Sequence, residues 1–256
     1  MMSRDRRYRT RQYGSPYGGS GGYRQTSRRT RRQTDLGISA TKVLIVINVL
    51  MYGVQTLYPS VTRAGWKMAS AIANQGQWYR LLTPVVLHGS VPHLAVNSLS
   101  LNSVGPVVES MLGKPKFLAV YAAAGISGNV LSCIINPRMP AVGASGAIFG
   151  IVGAFAAFCL MNRSVLGKEN SRRALTGVGQ TLAMNLALGL SSTHIDNMGH
   201  VGGFIGGFVS TCIIGPRLRR RRNSITGELY TVDVSPKFAL PRFRKRAEPA
   251  GERRWP

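Results

Sequence analysis

Long apolar stretches alternate with short polar ones through the middle of the chain. The apolar stretches cover residues 41–57, 91–111, 117–135, 145–160, 174–190 and 199–215, and charged residues are nearly absent inside them. Each approaches the roughly 20 residues that a helix needs to cross the hydrocarbon layer. Helices satisfy their backbone polar groups internally, which hydrocarbon requires. The pattern therefore predicts an all-α polytopic membrane protein with six spans. Asn48 interrupts the first stretch and Pro59 ends it, while Thr176, Gln180, Thr181 and Asn185 make the fifth the weakest. Tight turns or loops are expected at Lys114-Pro115-Lys116, at 136–140, at 162–173 and at 191–197.

Residues 60–84 break the pattern. Trp66, Met68, Ile72, Trp78, Tyr79 and Leu82 are interleaved with Arg63, Lys67, Gln75, Gln77 and Arg80. That mixture is too polar to span and rich in interfacial aromatics, so it predicts a first loop with short helices in the membrane surface.

Charge changes the reading of the ends. The 256 residues suffice for one sizeable domain, and the formal net charge of +24 comes mostly from the termini. Residues 1–40 form an Arg-rich tail, 41–216 the membrane domain and 217–256 a basic C-terminal tail, and both tails are expected to be disordered. The first 35 or so residues hold Arg, Gly, Ser, Tyr and Gln with almost no aliphatic side chain, which predicts disorder. Their basic, hydroxyl-rich, acid-poor composition is that of an organelle transit peptide, and no secretory signal follows Met1. A cytosolic tail or an RNA-binding arm has similar composition. Six spans put both termini on one side of the bilayer. The opposite side then carries only Arg63, Lys67, Arg80 and Arg138 of the 33 lysines and arginines. This positive-inside asymmetry accounts for the basicity without nucleic acid, and no nucleic-acid partner is expected. Cys133, Cys159 and Cys212 lie in apolar runs without metal-ligand spacing, so they are expected to pack; no metal or other cofactor is expected.

The chemistry sits in polar groups at membrane depth, where each is costly. Ser145 opens the fourth stretch among small residues, and Ser and Gly are common packing residues between membrane helices. His93 and Asn97 are four apart near the start of the second stretch, and His200 lies at the start of the sixth. In the six-span topology all of them converge near one surface. A serine needs a base, and histidine titrates in the right range. The developing oxyanion needs donors, which His93, Asn97 and the Ser145 amide at a helix N-terminus supply. Gly-rich faces at 146, 150 and 153 and at 199, 203 and 207 permit close approach of the two helices. No acid lies inside either one, so the arrangement reads as a Ser–His dyad. Asp196 reads as a cap for the last helix. Ala147 stands where a soluble hydrolase elbow has Gly.

The chain resembles the rhomboid intramembrane serine proteases over about residues 41–215. The resemblance rests on Gly143-Ala144-Ser145-Gly146, His93-x-x-x-Asn97, His200-Val201-Gly202-Gly203 and Trp78-Tyr79-Arg80 in the first loop. It implies Ser145 as nucleophile, His200 as general base, and an oxyanion hole from His93, Asn97 and the Ser145 amide. It also implies supporting places for His88, Gly143, Gly146 and Gly203. Phe149 stands where some members have a tyrosine against the base. Transmembrane protein substrates, cut within the lipid bilayer, and no cofactor are implied. The absence of an extra span, the stretch Ile195-Asp196-Asn197-Met198-Gly199-His200 and the tail after Pro216 are most similar to plant and algal plastid members. A plastid envelope is therefore expected, with a bacterial-type plasma membrane as the rival. The alternative function is that of an inactive relative that binds membrane proteins in quality control.

Overall fold

A computed structural model describes residues 38–190, 195–225, 227 and 229–235, with the side chains of 185–190 left aside. The expectations of a disordered or transit-type N-terminus and of a tail beyond 235 fall outside these residues.

The described chain is mainly helical. Helix α1 (Ala40–Leu57) is followed by the first loop, which holds α2 (Ser60–Gly65), α3 (Ala69–Gln75) and two 3-10 turns, Trp78–Leu81 and Thr83–Val86. Then come α4 (Val91–Leu112), α5 (Lys114–Ile135), α6 (Ser145–Met161), the single turn α7 (Arg163–Leu166), α8 (Lys168–Leu190) and α9 (Asn197–Ile214). A hairpin of β1 (Leu218–Arg222) and β2 (Leu229–Asp233) pairs antiparallel, with Leu218 opposite Asp233.

Among the described residues three helices are long and apolar enough to cross a membrane by length and composition, namely α1, α5 and α9, and α6 is apolar but shorter. Their packing is inverted relative to a water-soluble protein. On α9, Val201, Ile205, Val209 and Ile213 are exposed at four-residue spacing, while Gly199, Gly203 and Gly207 are buried. On α1, Val46, Val49 and Leu50 face outward, and Thr41, Asn48 and Gln55 are buried. Apolar side chains outside and polar ones inside suit hydrocarbon as the surrounding medium.

α6 is the hub, packing most extensively against α9 and also against α5. Ala147, Ile151 and Ala154 of its buried face, with Ala144 just before it, join Val108 of α4 and Phe117 and Val120 of α5 in one apolar core. Glu109 of α4 fastens α1: its carboxylate accepts from Ala40 N–H and Thr41 N–H, both at 2.9 Å, and from the Ser39 and Thr41 hydroxyls, both at 2.8 Å. It thereby fills the orphan donors at the α1 N-terminus, which no side chain of α1 itself caps.

Three local expectations are corrected. Lys114-Pro115-Lys116 is the first turn of α5 rather than a free turn; Gly113, with φ 80°, makes the bend and proline fits the start of a helix. The loop expected at 162–173 is mostly helix, because α8 begins at Lys168, where Glu169 pairs with Arg173 one turn on. The basic C-terminal tail, expected to be disordered, instead opens with strand β1. Asn162 ties it to the membrane part: its Oδ1 accepts from Leu218 N–H at 2.6 Å and its Nδ2 donates to Pro216 C=O at 3.0 Å.

Candidate active site

Ser145 is the first residue of α6 and His200 lies in the first turn of α9. Their meeting depends on missing side chains. A Cβ on Gly146 would stand 3.1 Å from the Gly199 carbonyl oxygen, and one on Gly203 would fall onto the Gly146 carbonyl oxygen. With bare backbone on both faces the helices close up, and Ser145 Oγ lies 2.9 Å from His200 Nε2. Phe149, one turn after Ser145, stacks on the imidazole with centroids 4.3 Å apart and planes 5° from parallel. The phenyl fixes the ring plane by dispersion alone, having no hydroxyl.

Across the cleft α4 presents His93 and Asn97. Ser90 caps α4 by accepting from His93 N–H at 3.3 Å, which orients this first turn. Gly89 N–H donates to His93 Nδ1 at 3.5 Å, so the ring proton belongs on Nε2. That nitrogen faces the chain entering Ser145: a Cβ on Gly143 would stand 2.8 Å from His93 Nε2 and 3.7 Å from Asn97 Nδ2. Gly143 adopts φ 134°, a region that favours glycine, and its N–H donates to Pro84 C=O at 2.9 Å. Asn97 is 4% exposed, and its Nδ2 has no hydrogen-bond partner among the described residues. An unspent buried donor is costly, and here it sits beside the Ser145 approach.

His88 stands behind this corner. Its ring meets His93 edge-on with centroids 5.4 Å apart. Gln55 of α1 grips its peptide in both directions, donating to His88 C=O and accepting from His88 N–H, each at 3.0 Å. Burial, then the neighbouring His93, pushes the His88 ring down to about 4, so at neutral pH it adds no charge to the site. Arg80 of the Trp78-Tyr79-Arg80 stretch turns inward and donates to the Arg63 and Trp66 carbonyls, both at 2.9 Å, bracing the first loop. Trp78 and Tyr79 remain exposed.

Asp196 caps α9 by accepting from Gly199 N–H at 3.0 Å. Its other carboxylate oxygen accepts from Ser132 Oγ at 2.5 Å and lies 3.7 Å from Lys67 Nζ, while Lys67 is fully buried. Nothing local in the sequence signals this cluster, since 65 residues separate Lys67 from Ser132.

A cleft lined by Val85, Asn129, Gly143, Ser145, Gly146 and His200 therefore combines a hydroxyl with an adjacent imidazole, and His93 and Asn97 stand against its Gly143 wall. The arrangement suits nucleophilic attack on a carbonyl. A family model described as Rhomboid domain matches residues 75–217. The rhomboid protease GluP of Bacillus subtilis is 42% identical over 181 residues, which make up 68% of this chain and 34% of that protein. YdcA of the same organism is 38% identical over 151 residues, 59% of this chain and 73% of that relative. RHOMBOID-like protein 1 of Arabidopsis thaliana is 36% identical over 140 residues, 55% of this chain and 35% of that protein. The matched region thus spans about a third of GluP and of the plant relative.

Proposed function

The chain belongs to the rhomboid family, and from that premise we infer that it is an intramembrane serine endopeptidase acting on transmembrane segments of other proteins. The observation that carries the reading is the 2.9 Å separation of Ser145 Oγ and His200 Nε2 at the heads of two apolar helices. Ser145 Oγ attacks the scissile carbonyl carbon while its proton passes to His200 Nε2. His93 Nε2–H, Asn97 Nδ2–H and the Ser145 amide receive the oxyanion. The C–N bond breaks and the departing nitrogen takes the proton from His200. Water then attacks the acyl ester, gives its proton to His200, and Ser145 leaves with that proton restored. The Asp196 side chain reaches Gly199 N–H, Ser132 and Lys67, so the proton transfer is assigned to a dyad.

The test is covalent labelling of the full chain in detergent by a fluorophosphonate probe. Labelling of wild type that maps to Ser145 and vanishes in Ser145→Ala is expected. A folded wild type that fails to label would instead favour the inactive, membrane-protein-binding relative. Asn97→Ala should slow labelling and cleavage by about 10²-fold without abolishing them, because His93 and the amide remain. A loss equal to that of Ser145→Ala would give Asn97 a larger part than one donor.

The protein is a multi-pass membrane protein, for which six spans between residues 41 and 216 are proposed, with both termini on the cation-rich side. The plastid envelope is the membrane proposed from the composition of residues 1–35. The Bacillus subtilis relatives support a bacterial-type plasma membrane as the second reading. Import into isolated chloroplasts with shortening of the N-terminus is expected on the first reading. Failure of import sinks it.

A further inference from the structure

We propose that Lys67 is a positioning residue that ties the segment entering Ser145 to the segment entering His200, an inference that rests on the protease reading above. Lys67 lies between α2 and α3 and acts in two directions. Its main chain pairs with the strand-like approach to the nucleophile: Lys67 N–H donates to Ala141 C=O at 2.9 Å, and Ala141 N–H donates back at 3.4 Å. Its side chain runs inward, with 0% exposure, and Nζ donates to Ser132 Oγ of α5 at 2.5 Å. Ser132 Oγ in turn donates to Asp196 Oδ2, which also lies 3.7 Å from Nζ, while Asp196 Oδ1 caps α9 one turn before His200.

A buried ammonium is tolerated only with a partner, and Asp196 is the carboxylate that Lys67 reaches among the described residues. The ion pair therefore fixes the start of α9 against α5 and the first loop. The same residue's backbone fixes the approach to Ser145.

The experiment is the rate of fluorophosphonate labelling at neutral pH, as a function of probe concentration, in detergent for wild type, Lys67→Met, Lys67→Arg, Asp196→Asn and the Lys67→Met/Asp196→Asn double variant, with tryptophan-fluorescence melting as the folding control. Asparagine still caps a helix, so Asp196→Asn removes charge rather than the cap. Lys67→Met and Asp196→Asn should each label about tenfold more slowly at neutral pH, as small misplacements of reacting groups do. The loss should lie in the maximal labelling rate and not in probe affinity, and the double variant should be no slower than the slower of these two, because one tie is broken in all three. Lys67→Arg should recover most of the rate. A merely loosened fold would lower melting without this split or this non-additivity. Lys67→Met and Asp196→Asn variants that label as wild type, or losses that add in the double variant, overturn the proposal. If Lys67→Met does not fold, Asp196→Asn alone decides by whether its maximal rate falls. A wild type that never labels removes the protease reading and this inference together, whereas a labelling wild type whose variants keep its rate removes this inference alone.

Discussion

Replacing His200 by alanine should slow labelling of Ser145, and cleavage of a transmembrane substrate, by about 10³-fold or more, with the fold retained. At about 1.4 kcal/mol per decade, that is a loss of about 4 kcal/mol of transition-state stabilisation. The magnitude follows from geometry. Nε2 stands 2.9 Å from Ser145 Oγ, and among the described residues no other base is within hydrogen-bond distance of that hydroxyl. Without a base the hydroxyl keeps its proton and remains a weak nucleophile. The structural cost is smaller. Phe149 loses its stacking partner, worth about 1 kcal/mol. Helix α9 is held by its glycine face on α5 and α6 and by the Asp196 cap, none of which involves the imidazole. The variant should therefore melt near wild type while labelling at most about a thousandth as fast. Measuring both on the same preparation separates chemistry from folding. Retained labelling would remove His200 as the base.

The sequence makes the helical frame legible because hydrocarbon imposes a plain rule on length and polarity. The bounds of α1, α4, α6 and α9 lie within two residues of the apolar stretches at 41–57, 91–111, 145–160 and 199–215. The starts of α5 and α8 are less legible: Lys114 and Lys168 are polar, yet each opens a helix after a glycine of positive φ that ends the preceding turn. The closeness of Ser145 and His200 can be anticipated, since both precede glycines at helical spacing that permit backbone contact. The Lys67–Ser132–Asp196 cluster cannot be, because a buried ion pair has no period and its members are brought together only by the completed packing. The hairpin is hidden for a related reason. The strand of four arginines after Leu218 has no apolar alternation, and pairing with Leu229–Asp233 together with the Asn162 contacts orders it.

Among single substitutions away from the chemistry, Gly207→Ala should have the largest effect on stability and activity together. Gly207 lies two turns below His200 on the face that meets α6. A Cβ there would fall onto the carbonyl oxygen, carbon and Cα of Gly150. These are backbone atoms in the middle of a buried helix, so no side-chain rotation can relieve the overlap and the helices must separate. Overpacking of this kind costs about 1–3 kcal/mol, against a gain of about 1 kcal/mol in helix propensity from alanine. The separation is also transmitted to the site. Ser145 and His200 head the two helices being wedged apart, and a displacement of about 1 Å between reacting groups can cost about 10²-fold in rate. Gly207→Ala should therefore lower the melting temperature by several degrees and slow Ser145 labelling by about tenfold or more. Gly179→Ala on α8 is the matched control, because a Cβ there meets nothing within 4 Å; it should melt and label as wild type or melt slightly higher. If Gly207→Ala behaves like Gly179→Ala in both measurements, bare backbone contact between α6 and α9 is not what holds the serine against its base.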